Sequence, residues 1–272
     1  MHEEDKKYSR NFSAQIGDIA YDCRYLIGPW PTIYLGYIGY NKAFIFLNYI
    51  LDLVRAEINE ICINLNKLDD IKQFLSEPWF KNVQKITLAG NRVYSKKVTA
   101  LYDCFDKPLQ ETCVQSSIKF LRPTSKLLQS ENLLLEESKF ISVKHLLNFT
   151  GKYISLASSS FLEEQIVALI KHWLDGNYPN LEGAVITTRF GFAFETEKIL
   201  DEFNTKQWNP AERAQNFIFK ASYSRDHMKE FPVISCAKGR DIERSDGLLA
   251  TILFGDNKYD FHFLVWHTRF LK

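Results

Sequence analysis

The stretch INEICINLNKLDDIKQFLSEPWFKNVQKITLAGN (58–91) decides the fold. Ile58, Ile61, Ile63 and Asn66 stand in the frame apolar-x-x-apolar-x-apolar-x-x-Asn. Val83, Ile86, Leu88 and Asn91 repeat it 25 residues later. The frame has a physical cause: a short strand buries alternate side chains, and an asparagine turns the chain after it. Between the two frames, Leu68, Ile71, Phe74 and Leu75 recur at helical spacing, so the chain returns to the next strand through a helix.

That period lies within the range of about 20–29 residues of leucine-rich repeats. The expected fold class is therefore α/β: leucine-rich-repeat-like β-α units with a mostly parallel sheet. Leu133 and Leu135, Ile154 and Leu156, and Ala184 and Ile186 supply three further strand candidates, none of which keeps the asparagine. The 47 residues between Ile86 and Leu133 imply either an unrecognised repeat or an irregular loop around 103–126.

The flanking regions read differently. Ile19, Tyr21, Cys23 and Tyr25 alternate with Ala20, Asp22 and Arg24, a half-buried strand pattern that the prolines of GPWP (28–31) must break. Aromatic runs around 32–38 and 42–46 continue as strands, and a helix follows over 47–56. Downstream, FLEEQIVALIKHWLDGNYPNLEGAVI (161–186) places Leu162, Ile166, Leu169, Ile170 and Trp173 on one helical face. Ser160 and Glu163 form its capping box, and Gly176 ends it. The span 195–203 is helical, then 204–238 is irregular. Residues 241–266 alternate by two on both sides of Asp246-Gly247, giving a C-terminal β-meander. The expected organisation is a disordered tail at 1–11, an N-terminal antiparallel strand-rich connector and helix at 12–57, the repeat-like region at 58–190, and the closing helix and meander at 191–272.

Composition narrows the function. Lys+Arg 34 against Asp+Glu 33 leaves a net charge of +1, so no nucleic-acid partner is expected. Cys23, Cys62, Cys104, Cys113 and Cys236 contain no C-x-x-C pair, and the charged N-terminus lacks a secretory core. The thiols are read as reduced and the chain as cytoplasmic or nuclear. The apolar run 32–51 carries Lys42, Asn41 and Asn48, so no membrane span is expected. Glu163, Glu164 and His172 read as a solvated helix face, with Glu163 already used as a cap. His262 and His267 would point to opposite sides of a strand. His2, His145 and His227 have no ligand spacing with any cysteine. No phosphate-binding or nucleophile-elbow motif is present. No metal, cofactor or catalytic residue is assigned, and an enzyme is not expected. Trp30 and Trp208, beside prolines, are the expected exposed aromatics.

Two blocks carry a resemblance. LIKHWLDGNYPNLEGAVI (169–186), through Leu169, Ile170, Lys171, Trp173, Gly176, Leu181 and Glu182, resembles the core of the F-box associated domain of the second type, a family expanded in nematodes. DIERSDGLLATI (241–252) is similar to the same family's C-terminal signature through Ile242, Arg244, Asp246, Gly247, Ala250, Thr251 and Ile252. The resemblance implies a protein-protein interaction module, the substrate-recognition region of an F-box type ubiquitin-ligase receptor with no catalysis of its own. No segment here reads as the F-box, so the cullin-ligase adaptor is not an expected partner; a protein target is. A stand-alone scaffold or antagonist is the alternative, and an enzyme with an unrecognised site the remote one. In the strand frame the outward positions are Glu60, Cys62 and Asn64, then Lys85, Thr87 and Ala89, and later Ser155. These are the candidate partner-binding residues, with the loops 103–126 and 204–238 as the competing contact sites.

Overall fold

The computed structural model describes residues 9–16, 18–26, 32–35, 40–55, 57–68, 71–189, 192–221 and 232–270. The GPWP break, Trp30, His2 and His227 lie outside the described residues. The chain divides into two compact units, Met1–Ile58 and Asn59–Lys272.

In the first unit, β1 (Ser9–Ile16), β2 (Ile19–Leu26) and β3 (Thr32–Leu35) form an antiparallel sheet in that order. Residues 9–11, read from sequence as part of a tail, pair with β2 through Asn11↔Arg24. Helix α1 runs Tyr40–Val54, so residues 42–46 are helical rather than extended. An unbroken apolar run does not distinguish strand from helix by its period. No glycine or proline interrupts the chain between Tyr40 and Val54, so the helix begins seven residues before its expected start.

The second unit starts with β4 (Glu60–Ile63), α2 (Ile71–Leu75), β5 (Lys85–Leu88), β6 (Arg92–Tyr94) and α3 (Ser95–Asp103). It continues through β7 (Glu111–Val114), β8 (Ser117–Lys119), β9 (Asn132–Leu135), α4 (Val143–Leu147), β10 (Tyr153–Ser159), α5 (Glu163–Leu174) and β11 (Gly183–Thr188). Helix α6 (Thr196–Leu200) leads to β12 (Lys206–Gln207), β13 (Asn216–Ile218), β14 (Val233–Ser235), β15 (Arg240–Glu243), β16 (Leu249–Phe254) and β17 (Asp260–Trp266).

Ten of these strands form one sheet, ordered β12-β15-β16-β17-β11-β10-β9-β7-β5-β4. From β4 to β11 every pairing is parallel, and from β11 through β17 to β12 every pairing is antiparallel. The sheet is therefore mixed, and the C-terminal meander is part of it: β17 docks against β11 with Ala184 opposite Phe263.

The two frames that opened the reading fall on β4 and β5 in register, Ile61 opposite Ile86 and Ile63 opposite Leu88. The row continues through Thr112, Leu133, Ile154 and Ala184. The gap holds three unread strands, of which β7 joins the ten-stranded sheet, with threonine replacing the aliphatic residue. Thr112 is fully buried, and its hydroxyl bonds Tyr102 Oη of α3 at 3.2 Å and Ser130 Oγ at 2.8 Å. The turn asparagine also has successors. Asn66 Nδ2 donates to the Arg92 carbonyl of the next turn. Farther along, Ser138 at the equivalent position donates through Oγ to Ala157 O at 2.8 Å, and Ser116, one residue before the equivalent Ser117, donates to Gly90 O at 2.8 Å.

One face of the sheet is the core. Its rows, Ile61 to Ile252 and Ile63 to Phe261, pack beneath the helices, where Trp173 of α5 meets Phe263 edge-on at 5.2 Å. Helix α5 starts differently from the expected capping box. Leu162 is its N-cap, and Gln165 Oε1 accepts from the Leu162 N–H at 2.8 Å, while Glu163 Oε1 accepts from the Glu195 N–H at 2.7 Å. Gly176 ends the helix at φ +87°, a conformation that a side chain would strain. Among the described residues no helix is long and apolar enough to cross a membrane.

The buried hydroxyl cluster makes a specific expectation. Thr112→Val leaves Tyr102 Oη and Ser130 Oγ without this partner in the core, and should lower the unfolding free energy by about 1–3 kcal/mol in urea titration. Adding Tyr102→Phe and Ser130→Ala should recover most of that loss.

Candidate functional site

The opposite face of the sheet is covered over one half and open over the other. In-register neighbours share a face. Glu60, Lys85, Glu111, Asn132, Tyr153 and Gly183 form one row, and Cys62, Thr87, Cys113, Leu134, Ser155 and Val185 the next.

The covered half lies over β10, β11, β17 and β16. There Tyr153, Val185, Leu249, Leu264 and Trp266 pack with Phe217, Phe219, Ala221 and Cys236, which come from the segment that carries β13 and β14. Phe219 meets Tyr153 at 4.8 Å and Phe217 meets Trp266 at 5.1 Å, both edge-on. Gly183 permits this approach, because a Cβ there would come within 2.7 Å of the Phe219 ring. Burial pushes the Cys236 thiol up to about 12, so it is chemically quiet.

A buried ion pair fastens the cover. Arg213 has no solvent exposure. Its Nε and Nη2 reach both Asp241 oxygens at 2.8–3.0 Å, Nη2 also donates to Cys236 O, and Nη1 donates to Ala214 O. The guanidinium lies over the Trp266 ring at 4.8 Å. Asp241 also accepts from Thr251 Oγ1 at 2.7 Å, and that hydroxyl accepts from Trp266 Nε1 at 2.8 Å. Each buried polar group thus has a named partner, as a buried charge requires.

The open half lies over β4, β5 and β7. Glu60 and Cys62 are exposed, while Asn64, Lys85, Thr87 and Ala89 are half-buried on the same side. Lys85 pairs with Glu111 at 3.7 Å. Asn64 Oδ1 is also used locally, accepting from the Asn66 N–H at 3.1 Å. Ser155 does not belong to this surface: it is buried, because it falls on β10 where the covered half begins. Glu111, Cys113 and Gln115 were missed with their strand. Leu109-x-x-Thr112-x-Val114-x-x-Ser117 keeps the frame once Thr and Ser are admitted for the apolar and Asn positions.

The profile of a family described as F-box associated matches residues 122–186. That segment is similar to the F-box associated family. Two uncharacterized proteins of Caenorhabditis elegans are similar to the chain over a longer stretch. F59B2.8 is 24% identical over 216 residues, 78% of this chain and 47% of its own length. F59B2.9 is 25% identical over 195 residues, 70% of this chain and 43% of its own length. The matches thus span less than half of these relatives. No solved structure matches. The matched segment supplies β9, β10 and α5 and runs into β11, where the covered half of the sheet begins.

The residues that carried the family resemblance turn out to hold this region together. Arg244 lies over the Trp173 ring at 4.9 Å, donates to the Trp173 and Asn177 carbonyls at 3.4 Å, and grips Asp246 through two bonds at 3.0 and 2.7 Å. The guanidinium holds the Asp246 carboxyl at about 2. Lys171 pairs with Glu202 at 2.7 Å, and Tyr153 Oη donates to Glu182 at 2.5 Å.

The remaining chemical candidates are accounted for by structure. His145 bonds Ser142 and Leu121 O, and His267 bonds Leu181 O at 2.9 Å. His172 is half-buried, not fully solvated, and meets Tyr178 edge-on at 4.7 Å. Trp208 is half-buried and donates to Arg213 O at 3.3 Å. Burial, with Glu60 beside it, raises the Cys62 thiol away from the reactive range. Among the described residues no group of three His, Cys, Asp or Glu stands ready to hold a metal.

Two measurements test this arrangement. Arg213→Ala leaves Asp241 buried without its counter-charge and should destabilise the fold by about 3–5 kcal/mol in urea titration. His262, on β17, has a buried Nδ1 with no hydrogen-bond partner among the described residues, and burial lowers its pKa from 6.5 against the opposing pull of Asp260. The unfolded chain therefore takes up the proton first, and stability should fall as pH drops below 6.5 and continue falling to the folded-state pKa. Unfolding free energies at pH about 7.5 and about 5.5 should differ less in His262→Phe than in the parent.

Proposed function

We propose that the chain is a protein-binding module whose docking surface is the open half of the sheet, and that it serves as the substrate-recognition region of an F-box type ubiquitin-ligase receptor without catalysis of its own. One observation carries the reading: a single sheet face is sealed over β10, β11, β17 and β16 by a tightly fastened segment, while over β4, β5 and β7 its described residues are exposed or half-buried. Strand faces that present alternating side chains in register make an extended surface suited to protein contact. The docking residues are Glu60, Cys62, Asn64, Lys85, Thr87 and Ala89, joined by Glu111, Cys113 and Gln115. The parallel half acts as a leucine-rich-repeat-like scaffold, a reading supported by the in-register row from Ile61 to Ala184 and by the turn bonds of Asn66, Ser116 and Ser138. The family match at 122–186 supports the interaction role.

Affinity capture from a Caenorhabditis elegans lysate tests it. The parent chain should recover a reproducible protein partner. A Lys85→Glu, Thr87→Arg double variant of unchanged melting temperature should recover about tenfold less of it. Equal recovery by both chains would move the contact away from this face. A small-molecule substrate turned over by the purified chain would replace the binding-module reading with an enzyme.

A further inference from the structure

The parallel pair β6–β8 forms a separate two-stranded sheet beside the main one. Its inner residues, Val93 and Ile118, are buried, and its outer row places Arg92 beside Ser117 and Tyr94 beside Lys119. Lys119 Nζ stands 5.6 Å from the Tyr94 ring centroid. Phe120 follows directly, and two features single it out. It is 81% exposed, and it holds φ +59°. A bulky side chain in the left-handed region is a strained outlier, and strain of this kind collects at functional positions. Here the strain brings no burial in return. Tyr94, the register partner of the preceding Lys119, is 57% exposed.

The charged residues on β6 and β8 and within two residues of Tyr94 and Phe120 in the chain are all basic, while Glu137 on the neighbouring turn is paired with Lys139 at 3.4 Å. Arg92, Lys96 and Arg122 are exposed and Lys119 half-buried. Among the described residues none of the four has a carboxylate within ion-pair distance. In a chain whose net charge is +1, four unpaired cations around two exposed aromatic rings are a local concentration. Aromatic and arginine side chains anchor protein interfaces, and a cationic patch selects an anionic partner.

We propose that the Tyr94–Phe120 ledge binds a short acidic segment of a partner protein, with the two rings packing on its apolar side chains and Arg92, Lys96, Lys119 and Arg122 pairing with its carboxylates. A nucleic-acid strand fits less well. The turn that carries Glu137 packs next to β8, and Glu136 precedes it in the chain. A polyanion longer than the ledge would meet these carboxylates, whereas a short peptide would not. The ledge is distinct from the open half of the main sheet, so this site stands or falls without the docking surface proposed above.

Fluorescence anisotropy on the full chain tests the site. The probe is a short fluorescein-labelled peptide of alternating Asp and Glu with one central Leu, compared with a labelled single-stranded RNA of equal formal charge. The acidic peptide should bind saturably at low salt, more tightly than the RNA, and weaken as salt rises. Lys119→Glu combined with Arg122→Glu should abolish that binding. Phe120→Gly should weaken it about tenfold while leaving the melting temperature equal to or above the parent's, because glycine relieves the positive φ. Tighter binding of the RNA, lost in the same variants, would overturn the acidic-peptide assignment in favour of nucleic acid. No saturable peptide binding, or equal binding by parent and variants, would overturn the site itself.

Discussion

A guanidinium sealed from water must find acceptors for its N–H groups inside the protein, and the segment that carries it can settle only where those acceptors converge. Arg213 finds them at Asp241, Cys236 and its own chain neighbour Ala214. Asp241 lies on β15, near the antiparallel edge of the large sheet, while the aromatic residues held down by the pair reach back across β16 and β17 to β11 and β10. The pair therefore sets which strands are covered. Its attraction is offset in large part by the desolvation of both charges, so its main contribution is to fix one position for the cover. Trp266 shares in this, lying under the guanidinium and donating to the threonine that bonds Asp241.

This anchoring divides the labour within one sheet. The parallel strands keep the same core face throughout, but their other face has two fates, sealed toward the C-terminal strands and bare toward β4. A second clasp, Arg244 between Trp173 and Asp246, joins the end of α5 to the turn between β15 and β16. Both clasps use an arginine whose plane lies over a tryptophan while its edge bonds a carboxylate. The geometry suits a planar guanidinium and would not suit a lysine.

Much of this was legible in the residues. The frames at 58–66 and 83–91 located β4 and β5 and their relative register, the apolar face of α5 was legible at Ile166, Leu169, Ile170 and Trp173 but not at Leu162, which is the exposed N-cap, and Asp246-Gly247 marked the turn of the meander. What escaped was local chemistry that only the assembled core explains. Thr112 reads as polar, yet it is a core residue because Tyr102 and Ser130 come to meet it from elsewhere in the chain. Serines took over the turn role of asparagine, a substitution invisible to a pattern that asks for one residue type. Strand alternation puts Ser155 on the face away from the helices, where the cover, which includes Phe217, Phe219, Ala221 and Cys236, lies over the same half of the sheet. Trp173, Arg244 and Asp246, which carry the resemblance, were visible too, but nothing in a linear sequence shows that blocks about 70 residues apart close on one another.

The strand order has a consequence for how the chain is made. During synthesis the N-terminal part emerges first, so β4 to β11 are available while β17 is still to come. Until it arrives, β11 is an edge whose backbone groups lack their neighbour, and Val185 and Tyr153 lack their cover. Such an edge is a template for pairing with another chain. A chain that ends before β17 would present β11 as such an edge, with its paired neighbour missing.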